Sequence, residues 1–239
     1  MIAEHYKNIY PVSMTARLIS RSPRHHPTSL PLPGGLTLTC GRAHEFCGPA
    51  RRTLALIAAQ AIEGPVFWIA PDWSRDRLHG EGVAALFDPA RITFITPHRP
   101  EDLLWSMEEV LRSGAAPLAI CELPGIPGLT PVRRLHLAAE TAGREQGSAP
   151  LGLLLIAGSG GAPGVESRWH MKPAHAGKQN RWRLERRRAR MDPPKCWEVT
   201  RSGSTFSLGP PGSNTETAIV PQPAGCDKDA RKPERKDRA

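Results

Sequence analysis

The chain has 239 residues and 39% hydrophobic residues, enough for one large domain with appendages or two small ones. Its 25 Pro and 22 Gly argue against a helical bundle or a coiled coil, and no apolar run is long enough for a membrane helix. A net charge of +9 points to a polyanion or an acidic protein surface as partner, with a solvated basic face as the plainer alternative.

Residues 1–29 carry little periodicity, and Ser22-Pro-Arg-His-His-Pro is polar and Pro-broken, so a leader of low order is expected there. The N-terminus has no apolar stretch of the secretory type. Leu30-Pro-Leu-Pro-Gly-Gly-Leu reads as a turn into the folded part, which is expected over residues 30–200.

From residue 37 to about 157 short apolar strands alternate with helical stretches. Residues 66–70, 91–96, 118–121 and 151–157 read as strands covered on both faces. Residues 49–62 form a helix that is apolar nearly all round and stops at Gly64-Pro65. A weaker helix is expected over 74–87, interrupted by Gly80 and Gly82. Residues 100–113 place Leu103, Leu104, Met107, Val110 and Leu111 on one stripe, with Gly114 as the stop. Thr130-Pro131 reads as an N-cap and first helical residue of a helix reaching Gly143. This alternation predicts an α/β fold, a mainly parallel sheet flanked by helices. Ligands on such sheets bind beyond the carboxyl ends of the strands.

Residues 167–200 differ in character. Between Arg168 and Lys195 lie ten basic residues and only two acids, a local net of +8. Arg168, Arg181, Arg183, Arg186, Arg187, Arg188 and Arg190 are therefore candidates for binding nucleic acid or a protein partner. Three Trp are interleaved with them, which suits base stacking on single-stranded nucleic acid. The alternation of Arg181-Trp-Arg-Leu-Glu and Cys196-Trp-Glu-Val-Thr equally fits a small antiparallel extension of the sheet, with Trp169, Trp182 and Trp197 inside; that is the stronger reading for the Trp. Neutralising Arg186, Arg187 and Arg188 is expected to weaken DNA affinity and flatten its salt dependence. Residues 201–239, rich in Ser, Gly, Pro and charge, read as a disordered tail.

One loop has the setting of a phosphate-binding loop but not its parts. Gly48-Pro49-Ala-Arg51-Arg52-Thr53 lies between a strand and a buried helix. A working loop needs two glycines, a Lys and a hydroxyl, with enough backbone to encircle a phosphate. Here Thr53 follows Gly48 too closely, the second Gly is missing, and Arg52 stands at the Lys position. It is a degenerate nucleotide loop. Asp72 and Glu122, each after a strand, are candidate vestigial acids. The nine His and five Cys show neither metal-site spacing nor a disulfide framework, so no metal or cofactor is expected, and Cys40 and Cys47 read as inert thiols in a cytoplasmic protein.

Gly48-Pro-Ala-Arg-Arg-Thr-Leu-Ala-Leu resembles the P-loop and helix of RecA with the loop cut down. Trp68-Ile-Ala-Pro-Asp-Trp and Leu118-Ala-Ile-Cys-Glu are similar to its catalytic-acid strand and Walker B region, in order and spacing. More closely, the stretch from Leu30 to Thr200 resembles the ImuA family, the RecA-like proteins of damage-inducible mutagenesis cassettes. Leu32-Pro-Gly-Gly-Leu, His44-Glu-Phe, Leu104-Trp-Ser-Met-Glu-Glu, Arg134-Leu-His-Leu-Ala-Ala-Glu, Ser167-Arg-Trp, Trp182-Arg-Leu and Trp197-Glu-Val carry that resemblance through their order. It implies a RecA-like domain and a non-catalytic accessory role in SOS-induced translesion DNA synthesis. The implied partners are an ImuB-like Y-family polymerase relative and an error-prone DnaE-type polymerase, with single-stranded DNA as a further one. Two alternatives stay open: a DNA-dependent ATPase of RecA type using Asp72 or Glu122, and a division inhibitor of the SulA type with which such proteins are grouped.

Overall fold

The computed structural model describes residues 29–211 apart from 176 and 178. The leader expected over 1–29 lies outside the described residues except for Ser29, which opens a strand, and so do Lys178 and the tail beyond 211. A hairpin of β1 (Ser29–Leu32) and β2 (Leu36–Thr39) comes first. The core then alternates β3 (Ala43–Cys47), α1 (Arg51–Gln60), β4 (Val66–Ile69), α2 (Gly80–Ala84), β5 (Ile92–Ile95), α3 (Pro100–Ser113), β6 (Leu118–Leu123), α4 (Leu129–Gln146) and β7 (Leu151–Ile156). Four further strands follow: β8 (Ser167–Pro173), β9 (Asn180–Ala189), β10 (Lys195–Ser202) and β11 (Thr205–Gly209).

The nine strands after the hairpin form one sheet in the order β11-β10-β9-β8-β3-β7-β6-β4-β5. From β8 to β5 every pairing is parallel; from β8 outwards to β11 every pairing is antiparallel. This is the predicted α/β class, a mainly parallel sheet flanked by helices with an antiparallel basic extension. Helix α1, the hairpin and the four aromatic side chains Trp169, Trp182, Trp197 and Phe206 bury one face. Helices α3 and α4 cover the other.

Several boundaries differ from expectation. The entering turn is the tip of the β1–β2 hairpin, whose Leu30, Leu32, Leu36 and Leu38 join the core. The helix expected over 74–87 shrinks to five residues, consistent with the helix cost of Gly80 and Gly82. Helix α4 begins two residues earlier, with Gly128 at its N-cap in place of Thr130. Strand β5 is the sheet edge, so Phe94 is exposed and double coverage fails there. The tail starts later than residue 201: β10 reaches Ser202, and β11 pairs with it and buries Phe206. A five-residue strand rich in Ser and Gly gave no period long enough to recognise.

The crossover from β7 to β8 is a loop, residues 157–166, instead of a helix. It must pass across β3, since β7 and β8 pair with opposite edges of that strand. Two buried polar groups of β3 fasten it from either side. Glu45, 0% exposed, accepts the amides of Gly161 (2.6 Å) and Ala162 (3.1 Å) and an ion pair from Arg168. His44 lies 2.6 Å from the Ser167 hydroxyl through Nδ1 and 3.0 Å from the Thr39 carbonyl through Nε2. Because Nε2 donates to the carbonyl, Nδ1 accepts from Ser167, which in turn accepts the Trp169 indole N–H at 2.6 Å. Every member of this chain is satisfied, and His44, Ser167 and Trp169 are buried, so a Ser–His pair of catalytic spacing here meets no substrate.

Burial pushes His44 down to about 4, so it is neutral in the folded protein. In the unfolded chain a histidine titrates near 6.5. Between those values the unfolded chain binds the extra proton, so stability falls as pH drops from about 6.5 to 4, by roughly 3 kcal/mol for this residue. Urea unfolding across that interval should show the slope, and His44→Gln should reduce it; an unchanged slope would refute the assignment.

Candidate functional site

The carboxyl ends of β3 and β6 bring Gly48, Arg52 and Glu122, three of the residues singled out in the sequence, into one place, while Asp72 after β4 stays apart. Only residues 48–50 separate β3 from α1, too few to wrap a phosphate. Gly48 takes φ 89, and a Cβ there would lie 2.5 Å from the Met171 carbonyl oxygen and 2.8 Å from His170 Nε2. The loop is thus packed against β8, and the Ala50 amide donates to the Met171 carbonyl at 3.0 Å. An N–H that a phosphate cradle would point at its ligand is already paired. Pro49 offers no donor, and Arg51 bonds back to the Gly48 carbonyl at 3.3 Å. Thr53 lies in the first turn of α1.

Arg52 and Glu122 find each other. Strand β6 runs two residues further than expected, so Glu122 lies within it and is nearly buried. Arg52 Nε lies 3.0 Å from both carboxylate oxygens, and an Nη is 2.6 Å from Oε2. The Trp68 indole N–H donates to Oε1 at 2.8 Å, and Arg52 also reaches the Asp76 carbonyl at 3.0 Å. Arg52 and Glu122 therefore neutralise each other. Asp72 lies apart from this lock, paired with His98, which follows β5. Among the described residues no cluster of His, Cys, Asp and Glu is arranged to hold a metal ion. Cys47 is pushed up to about 11 by burial, then by the neighbouring Glu45, and Cys40 is raised by burial; both are poor nucleophiles at neutral pH.

The basic segment divides sharply. Arg168 is held by Glu45 and donates to the Ala162 carbonyl at 2.9 Å. Arg181 pairs with Glu198 at 3.4 Å and Arg183 with Glu185 at 3.0 Å. Arg186 lies over the rings of both Trp169 (5.6 Å) and Trp197 (5.4 Å), and bonds Asp192 at 3.0 Å. Arg187 bonds Glu185 at 3.2 Å and the Ser159 carbonyl at 3.3 Å. The Glu185 carboxyl is lowered: burial alone would raise it, but the Arg187 hydrogen bond and the surrounding positive charges outweigh burial. Five of the seven nominated arginines are thus engaged internally. Arg188 and Arg190 make no side-chain hydrogen bond or ion pair among the described residues. The three Trp are buried, as their alternation suggested, and give no stacking surface for bases.

Sequence reasoning missed two participants. Glu45 and Trp68 look like ordinary strand residues in isolation, and only an acid in an otherwise apolar strand (Glu45 in Ala43–Cys47) gave a signal. Among the described residues no helix is long and apolar enough to cross a membrane. Compared with protein-family models and with curated proteins, the chain matches none.

Proposed function

We propose that this protein is a non-catalytic accessory factor of SOS-induced, error-prone translesion DNA synthesis in the cytoplasm. It holds an ImuB-like Y-family polymerase relative on a RecA-like core and works beside an error-prone DnaE-type polymerase. The ordered motifs that resemble the ImuA family support the pathway. A single geometric observation supports the non-catalytic part: Arg52 and Glu122 are locked on each other and on Trp68, beside a loop of three residues. A triphosphate would have to break that lock and still find no encircling amides. The core then serves as a scaffold, with exposed Trp105 on α3 and Leu137 on α4 available to a protein partner.

Two measurements test this. The purified chain should retain an ImuB-like protein of the same genome on co-purification at physiological salt, and calorimetry with Mg-ATP should give no binding heat. Loss of the complex would overturn the docking role. ATP binding that disappears in Arg52→Ala would overturn the non-catalytic one.

A further inference from the structure

A cavity of about 460 Å³ opens between α4, the end of the β7–β8 crossover and the end of β9. Arg133 of α4 and Arg188 and Arg190 of β9 and its following turn line it, with Leu129 and His136 beside them. The three arginines come from two segments far apart in the chain, Arg133 from one and Arg188 and Arg190 from the other, and all three are exposed. Among the described residues none makes a side-chain hydrogen bond or ion pair, in contrast to the five engaged arginines above. The acid lining the cavity, Glu166, lies 3.7 Å from Arg42, outside this trio. His136 Nε2 is buried with no hydrogen-bond partner. A bulge places the trio: the β8–β9 register shifts at Arg168/Trp169, so Arg186 faces Trp169 while Arg188 falls opposite Arg168. That shift carries Arg188 to the side of the sheet where α4 packs, beside Arg133.

We propose that this cavity is a phosphate-binding site, taking the phosphate groups of a nucleic-acid backbone or of a free nucleotide. Three guanidiniums converging on a cavity with one already paired acid match the charge and forked geometry that phosphate oxygens accept. The volume is in the range of small-ligand sites. Leu129 supplies an apolar wall, and His136 is an unsatisfied polar group within the lining. This site goes beyond the scaffold role and does not depend on it.

Fluorescence anisotropy with labelled oligothymidylate at about 50 mM salt tests the site. Arg133→Gln and the double variant Arg188→Gln/Arg190→Gln should each weaken binding roughly tenfold and flatten the salt slope by about 1 per phosphate contact removed. Arg181→Gln and Arg183→Gln should leave affinity within about twofold, since those side chains are engaged with Glu198 and Glu185. Arg133→Gln is the decisive variant: it lies on a helix outside the basic segment, and circular dichroism should show it folded. Competition separates the sources. Displacement by thymidine monophosphate at equal phosphate concentration identifies a nucleotide site; displacement by unlabelled strand alone identifies the backbone. No binding by the unaltered chain, equal displacement by polyglutamate, or weakening by Arg181→Gln or Arg183→Gln but not by Arg133→Gln would overturn the proposal. None of these results bears on polymerase co-purification, so the two readings fail independently.

Discussion

Replacing Glu45 by alanine is expected to destabilise the protein by about 3–5 kcal/mol, the range for removing one partner from a buried ion pair. The carboxylate is 0% exposed and serves three donors at once: the Arg168 guanidinium and the amides of Gly161 and Ala162. Its loss leaves a cation without its partner and two amides without acceptors. The crossover packs around it so closely that a Cβ on Gly160 would lie 2.2 Å from Glu45 Oε1. Glu45→Gln keeps the shape and one acceptor oxygen, so its cost should be smaller, about 2 kcal/mol. Urea unfolding reads both. Hydrogen exchange at Gly161 and Ala162 should accelerate in Glu45→Ala beyond what global unfolding explains. A variant as stable as the parent, with those amides still protected, would show that the crossover is fastened by something else.

The second large effect concerns the lock at the end of β6. Glu122→Ala removes the acceptor for both Arg52 and the Trp68 indole N–H, at an expected cost of about 2–4 kcal/mol. The range lies below that for Glu45 because the Arg52 side chain is 24% exposed and can turn to water, whereas Glu122 is 10% exposed. Arg52→Met strands the carboxylate instead, at about 2–3 kcal/mol. The double variant Arg52→Met/Glu122→Leu should recover much of the loss, because two apolar side chains need no partner. A double-mutant cycle measures the coupling. Additive costs would mean the two residues do not depend on each other, and the account of a self-neutralised site would fail with them.

Both effects rest on residues whose importance local sequence conveyed unequally. That the loop around Gly48 and Thr53 is too short for a phosphate cradle was legible because such a cradle is a local object: its glycines, its cation and its hydroxyl must follow at set spacing. Likewise the alternation of Trp182 and Leu184 with Arg181 and Arg183 correctly placed the Trp inside, since strand periodicity is local. The fate of each arginine was not legible. The seven nominated in the basic segment look alike in sequence, yet Arg168 is tied to Glu45, 123 positions away, while Arg188 remains available. Arg52 meets Glu122 across 70 positions. Residue type sets what a side chain can pair with, and the fold sets what it meets.

Short apolar strands between amphipathic helices were sufficient by themselves to specify a mainly parallel α/β core, because periodic burial is written residue by residue along the chain. The missing cradle and the concentration of positive charge were likewise present in the order of residues. Which charges neutralise one another, and which three converge on an open cavity, came only from the sheet order and the bulge in β9. The reason is physical: an ion pair depends on distance in space, falling off over a few ångströms, and no local period records which distant strands become neighbours.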